Sequence, residues 1–145
     1  MAAANSDPIF SKSGDVSANG TTTMPTGMVT ATADYTGVSA NHVLVFTADA
    51  TNGGFVQRLR FKATGTNTAS VARIYINNGS THTTATNNTF FGELSLPSMT
   101  ATNIAATNDL DYPMNIALNP AFTIWVGLGT TVAASWICTA VGGKY

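Results

Sequence analysis

The chain has 145 residues, a net charge of −1, 9% charged residues and 44% apolar ones. So large an apolar share excludes a disordered chain, and the near-zero net charge excludes bulk attraction to nucleic acid. No stretch is long enough to span a bilayer as a helix, so no membrane partner is expected.

Hydroxyl and amide side chains replace charge, with some two dozen threonines. Threonine is β-branched and polar, which suits the solvent face of a strand, so the composition indicates an all-β chain. A length of this order suits one domain that buries about two thirds of its unfolded surface. A surface so poor in charge is more comfortable against protein neighbours than in free solution, which points to assembly. The single cysteine, Cys138, lies in an apolar run and reads as a small core residue, with no base or cation beside it to activate the thiol. The first eight residues show neither the basic flank nor the apolar stretch of a signal peptide. Glycosylation sequons at Asn19, Asn78 and Asn87 read as chance matches in a Thr-rich chain.

Residues 1–41 are weakly patterned and read as an N-terminal arm with short first strands. Ile9 and Phe10 follow Pro8 as a short apolar island. Lys12 to Met24 reads as a loop, Met28 to Ala33 as a strand, and Asp34 to Asn41 as turns. Such an arm is expected to be tied down by a neighbour. Residues 42–145 read as the β-sandwich proper.

Three apolar runs open it, Val43 to Ala48, Phe55 to Phe61 and Val71 to Ile76, punctuated by Asn-Gly-Gly, Gly-Thr-Asn and Asn-Asn-Gly. In the second, strict alternation puts Phe55, Leu59 and Phe61 on one face and Arg58, Arg60 and Lys62 on the other. Leu44 and Phe46, and Ala72, Ile74 and Ile76, supply further apolar faces. Ser80 to Thr89 is an exposed loop carrying His82. Phe90 to Leu96 follows, with Phe90, Leu94 and Leu96 on one face and Phe91, Glu93 and Ser95 on the other, ended by Pro97. In the polar stretch Ser98 to Asp111, Ile104 is the expected interior contact. Met114 to Leu118 alternates, Asn119-Pro120 turns, and Phe122 to Leu128 carries the strongest strand signal, with Ile124, Val126 and Leu128 opposite Thr123 and Trp125. Ser135 to Val141 is the last strand, with Trp136 and Cys138 opposite Ile137, Thr139 and Val141; Gly142 to Tyr145 is a tail. About eight strands at this spacing, without a helical period between them, predict a jelly-roll-like antiparallel β-sandwich, with an immunoglobulin-like sandwich as the alternative.

Titratable groups are few. His42 and His82 read as surface or turn residues. Asp109 and Asp111, with Asn108, suggest a calcium site only weakly against turn hydrogen bonding. Glu93 stands alone, so a paired-carboxylate hydrolase has nothing to build on, and neither a Gly-x-Ser-x-Gly elbow nor a phosphate loop is present. No catalytic residue, metal or cofactor is expected. Arg58, Arg60, Lys62 and Arg73 form the one charge pattern, read either as a solvated sheet face or as a contact for acidic groups on a partner protein. Trp125, with Phe91 and Tyr35 or Tyr112 nearby, reads as a subunit-interface anchor or as a sugar-stacking platform.

Val45-Phe-Thr-Ala-Asp-Ala-Thr-Asn-Gly-Gly, Ala72-Arg-Ile-Tyr-Ile-Asn-Asn-Gly-Ser and Thr131-Val-Ala-Ala-Ser-Trp-Ile-Cys-Thr-Ala-Val-Gly-Gly-Lys-Tyr resemble small virion proteins of tailed bacteriophages, in particular β-sandwich capsid decoration, or cement, proteins. The likeness covers Val43 to Tyr145 and consists of strand and turn sequence. It implies a protein on the outer surface of the assembled head, commonly a homotrimer, that clamps neighbouring major capsid subunits. It carries over no active site. The expected contacts are the arm around Ile9 and Phe10, the face of Arg58, Arg60, Lys62 and Arg73, and Trp125. A carbohydrate-binding module and a tail or fibre component are the rival readings.

Overall fold

Short strands rich in Val, Ile and Phe, each with one apolar face, have to pair and then stack to bury those faces. The computed structural model describes residues 13–17, by their backbone, together with 27–32 and 34–145. The strands are β1 (Ser13–Ser17), β2 (Val43–Thr47), β3 (Gly54–Ala63), β4 (Ser70–Asn77), β5 (Asn88–Leu96), β6 (Leu110–Leu118), β7 (Thr123–Leu128) and β8 (Trp136–Lys144), with one turn of 3₁₀ helix at Ala85–Asn87. They form two antiparallel four-stranded sheets, sheet A in the order β1-β8-β3-β6 and sheet B in the order β2-β7-β4-β5. β1 pairs with β8, β2 with β7, β3 with β6 and β4 with β5. These are the pairings of one long hairpin rolled over on itself, which is the jelly-roll order. The β-sandwich expected from the sequence is therefore the observed fold.

The core lies between the sheets. Sheet A contributes Val56, Leu59, Phe61, Met114, Trp136 and Cys138, and sheet B contributes Phe46, Ala72, Ile74, Ile124, Val126 and Leu128, all buried. β7 and β8 keep the expected alternation. Three other strands do not, because each carries a register shift where an extra residue enters the ladder. In β3 the shift lies between Val56 and Arg58, so Val56 joins Leu59 and Phe61 in the core, and Phe55, expected there, is only half-buried. In β2 the shift lies between Leu44 and Phe46, and Val45 and Phe46 are both buried. Against β4 the shift lies after Ile74, which pairs with Gly92 while Tyr75 pairs with Phe90. This exchanges the expected roles of two aromatics: Phe91 packs on the core and Phe90 faces outward beside Tyr75.

Other departures concern segment ends. β1 lies inside the stretch Lys12 to Met24 that reads as a loop. Ile9 and Phe10 fall outside the described residues. Met28 and Ala31 make isolated bridges to Trp136 and Leu128 rather than a strand. β6 starts at Leu110, four residues early, and accommodates Pro113 because it is an edge strand. β8 runs through the glycines of the expected tail to Lys144. Ile104, expected in the interior, is 96% exposed in the loop between β5 and β6.

The core and the loop isoleucine make a contrasting pair. Phe61→Ala is expected to lower the unfolding free energy by about 3–5 kcal/mol, whereas Ile104→Ser is expected to change it by no more than about 0.5 kcal/mol. Denaturant titration of both variants measures the difference.

Candidate functional site

Consecutive strands β3 and β4 belong to opposite sheets. The four basic residues that look adjacent in sequence are therefore divided. Arg58, Arg60 and Lys62 lie on the outer face of sheet A, and Arg73 lies on the outer face of sheet B. The expected single basic face does not exist.

On sheet A the three cations meet two carboxylates at the start of β6. Arg60 and Asp111 are direct partners in the β3–β6 register, and Arg60 Nε lies 3.2 Å from Asp111 Oδ1. Arg58 Nε lies 3.6 Å from Asp111 Oδ2. Lys62 Nζ lies 2.8 Å from Asp109 Oδ1 and also donates to the Thr107 carbonyl. The hydrogen bond and charge of Lys62 hold the Asp109 carboxyl below its ordinary value of 3.8. These carboxylates are thus engaged by the chain's own cations. Among the described residues no three His, Cys, Asp or Glu side chains are grouped to hold a metal ion.

The outer face of sheet B is built differently. Residues 27–32 and 34–42 form a strap. Met28 bridges Trp136 at the start of β8, Ala31 bridges Leu128 at the end of β7, and residues 34–42 then cross sheet B to reach β2. The Asp34 carboxylate shapes this crossing by accepting hydrogen bonds from the amides of Thr36 and Gly37, both at 2.8 Å. Burial opposes its ionisation, but these bonds outweigh it and hold the group below 3.8. Beneath the strap the Tyr75 hydroxyl donates to the Asp34 carbonyl at 2.6 Å. Burial foremost, then the Asp34 charge, pushes that hydroxyl up to about 12.

Aromatic rings line this face. Tyr35 meets Phe90 edge-on at 5.2 Å, and the Arg73 guanidinium sits 4.2 Å above the Tyr35 ring. The Arg73 side chain is only 12% exposed and has Glu93 at 3.7 Å. His42 packs on Tyr75 at 4.7 Å. His82 lies flat on Trp125, with centroids 3.8 Å apart and planes 8° apart, and its Nε2 lies 3.0 Å from the Ser39 carbonyl oxygen. Trp125 Nε1 donates to Thr123 Oγ1 at 2.9 Å.

The cluster expected around Trp125 is therefore corrected. Tyr35 does share its sheet face, but Phe91 and Tyr112 meet one another on the core side. One face of the indole is stacked on the His82 imidazole and so is closed to a sugar ring. His42 and His82, read from sequence as surface or turn residues, both sit at the seam between the strap and the sheet, with His82 in a turn. The signal for His42 was its position one residue before Val43: Val43 faces inward, so His42 faces the strap side. Nothing in the sequence pairs His82 with Trp125. Comparison of the chain with family models, with curated proteins and with solved structures finds no match.

Tyr75→Phe removes the hydroxyl and leaves the Asp34 carbonyl without its donor. A loss of about 1–2 kcal/mol in unfolding free energy is expected, measured by denaturant titration at neutral pH.

Proposed function

We propose that this chain is a structural virion protein that decorates a phage head, stabilising it by clamping neighbouring major capsid subunits, without catalysis. The observation that carries the reading is how the chain uses its few charges. Four of the six basic side chains are bound to the chain's own Asp109, Asp111 and Glu93. Most of the described surface left over is Thr, Asn, Ser, Ala and Gly. Such a surface gives little colloidal protection to a free monomer but costs little desolvation when it is covered by protein. The sequence likeness to decoration proteins supplies the virion context, the outer capsid surface as location, and the homotrimer.

Contacts follow from what stands out of this neutral surface. Ile104 projects from the β5–β6 loop, and Tyr35, 57% exposed, stands over Phe90 on sheet B. Both offer apolar groups for burial against a neighbour. The Arg58, Arg60 and Lys62 face is a weaker contact than its sequence suggests, since an acidic partner would have to displace Asp109 and Asp111. Stability of the particle would come from many copies, each making a modest contact.

Electron cryomicroscopy of purified particles tests the reading. Many copies over the head, each bridging several capsid subunits, are expected, with Ile104→Asp reducing occupancy while the unfolding midpoint stays unchanged. A few copies at one vertex or on the tail would replace the reading with a connector or fibre role, and absence from the particle would discard it.

A further inference from the structure

His42 is the most unusual titratable group on sheet B. It is only 5% exposed, and among the described residues neither ring nitrogen has a partner in hydrogen-bonding geometry. It faces β4 through Tyr75, β7 through Gly127 and the 78–88 loop through His82, whose ring centroid is 6.2 Å away. A methyl group on Gly127 would overlap His42 Cδ2 and Thr32 Oγ1, so the strap lies directly on the backbone of β7. Residues 34–42 are also held by Tyr35, which packs on Phe90 and under the Arg73 guanidinium and accepts from Arg73 Nη2 at 3.1 Å, and by polar contacts of Tyr75 to the Asp34 carbonyl, Asn88 to the Gly37 carbonyl at 3.2 Å and His82 to the Ser39 carbonyl. Two imidazoles thus sit at one seam, one on the strap and one on the loop that holds it.

We propose that the strap is an acid-releasable cover, in which protonation of His42 lifts residues 34–42 from sheet B and opens the aromatic face of Tyr75 and Trp125. An imidazolium needs acceptors for two N–H groups, and the docked ring has only the Gly37 backbone close by, outside hydrogen-bonding geometry. Among the described residues the Asp34 carboxylate is the nearby counter-charge, and its Oδ1 is already shared between the amides of Thr36 and Gly37. Arg73, with Glu93 beside it, is the other charged group on this face. Burial lowers the His42 pKa from 6.5 and outweighs the Gly37 backbone and Asp34, which act the other way, while His82 adds to the lowering. The sign follows: the released strap binds the proton more readily than the docked one. Docking is therefore at full strength above pH 6.5 and weakens as pH falls from there toward the depressed value of the docked state.

Amide hydrogen exchange on the full chain, expressed as protection factors from about pH 7.5 to about pH 5, tests this across the range where an imidazole charges. Protection at Gly37 and His42 is expected to fall several-fold while Ile124 and Val126 stay protected. In His42→Phe, which keeps a ring on Tyr75 but cannot titrate, strap protection is expected to stay flat. A pH-independent strap in the wild type, or the same fall in His42→Phe, overturns the proposal. Should His42→Phe not fold, the NMR titration of the wild-type His42 ring decides: a midpoint below 6.5 that coincides with loss of strap protection supports the proposal, and a midpoint at or above 6.5 overturns it.

Discussion

The register shift in β3 is the constraint on which most of the molecule depends. β3 lies between β8 and β6, and its ladder slips against both between Val56 and Arg58. Without the extra residue, a strand that buries Leu59 and Phe61 would turn Val56 to solvent. With it, all three are fully buried, and Arg58, Arg60 and Lys62 still line the opposite face. The same slip fixes which β6 residues meet them: Arg60 falls opposite Asp111, and Lys62 comes within reach of Asp109. Core packing and surface neutralisation are two results of one backbone irregularity.

Period-two patterning made β7 and β8 legible down to the residue, because in those strands local alternation alone decides which side chain is buried. It misled at Phe55, Phe90 and Phe91, because a bulge depends on the partner strand and leaves no mark on local alternation. The basic cluster failed for a different reason. This sandwich sends the consecutive strands β3 and β4 to opposite sheets, which separates Arg73 from Arg58 in space despite their nearness in sequence. Hydropathy alone places Ile104 in the interior, but its Ala- and Thr-rich surroundings make no strand to carry it inward. The strap was least legible of all. His42 and Asp34 acquire their roles only when residues 34–42 cross sheet B, a tertiary event that short polar segments do not encode in periodicity.

The chain's amide-rich composition has a structural use beside its low charge. Asn77 is buried between two strands, donating to Asn88 Oδ1 at 2.8 Å and accepting from the Gly79 amide at 2.9 Å. Asn88 in turn reaches the carbonyls of Gly37 and His82. One pair of asparagines thus ties β4, β5, the 78–88 loop and the strap together with neutral hydrogen bonds. Ions at this buried junction would have carried a desolvation penalty that the amides avoid.

The pairing of β1 with β8 sets an order of events. Sheet B has all its strands once β7 exists, whereas in sheet A the central position between β1 and β3 stays empty until β8 is made. During synthesis, β3 therefore waits with one edge bare while the 72 residues between Ala63 and Trp136 separate it from its final neighbour. Such distant pairing places the protein among slow-folding, high-contact-order β proteins. For that interval the growing chain presents an open, apolar strand edge, the kind of surface that chaperones and neighbouring nascent chains recognise.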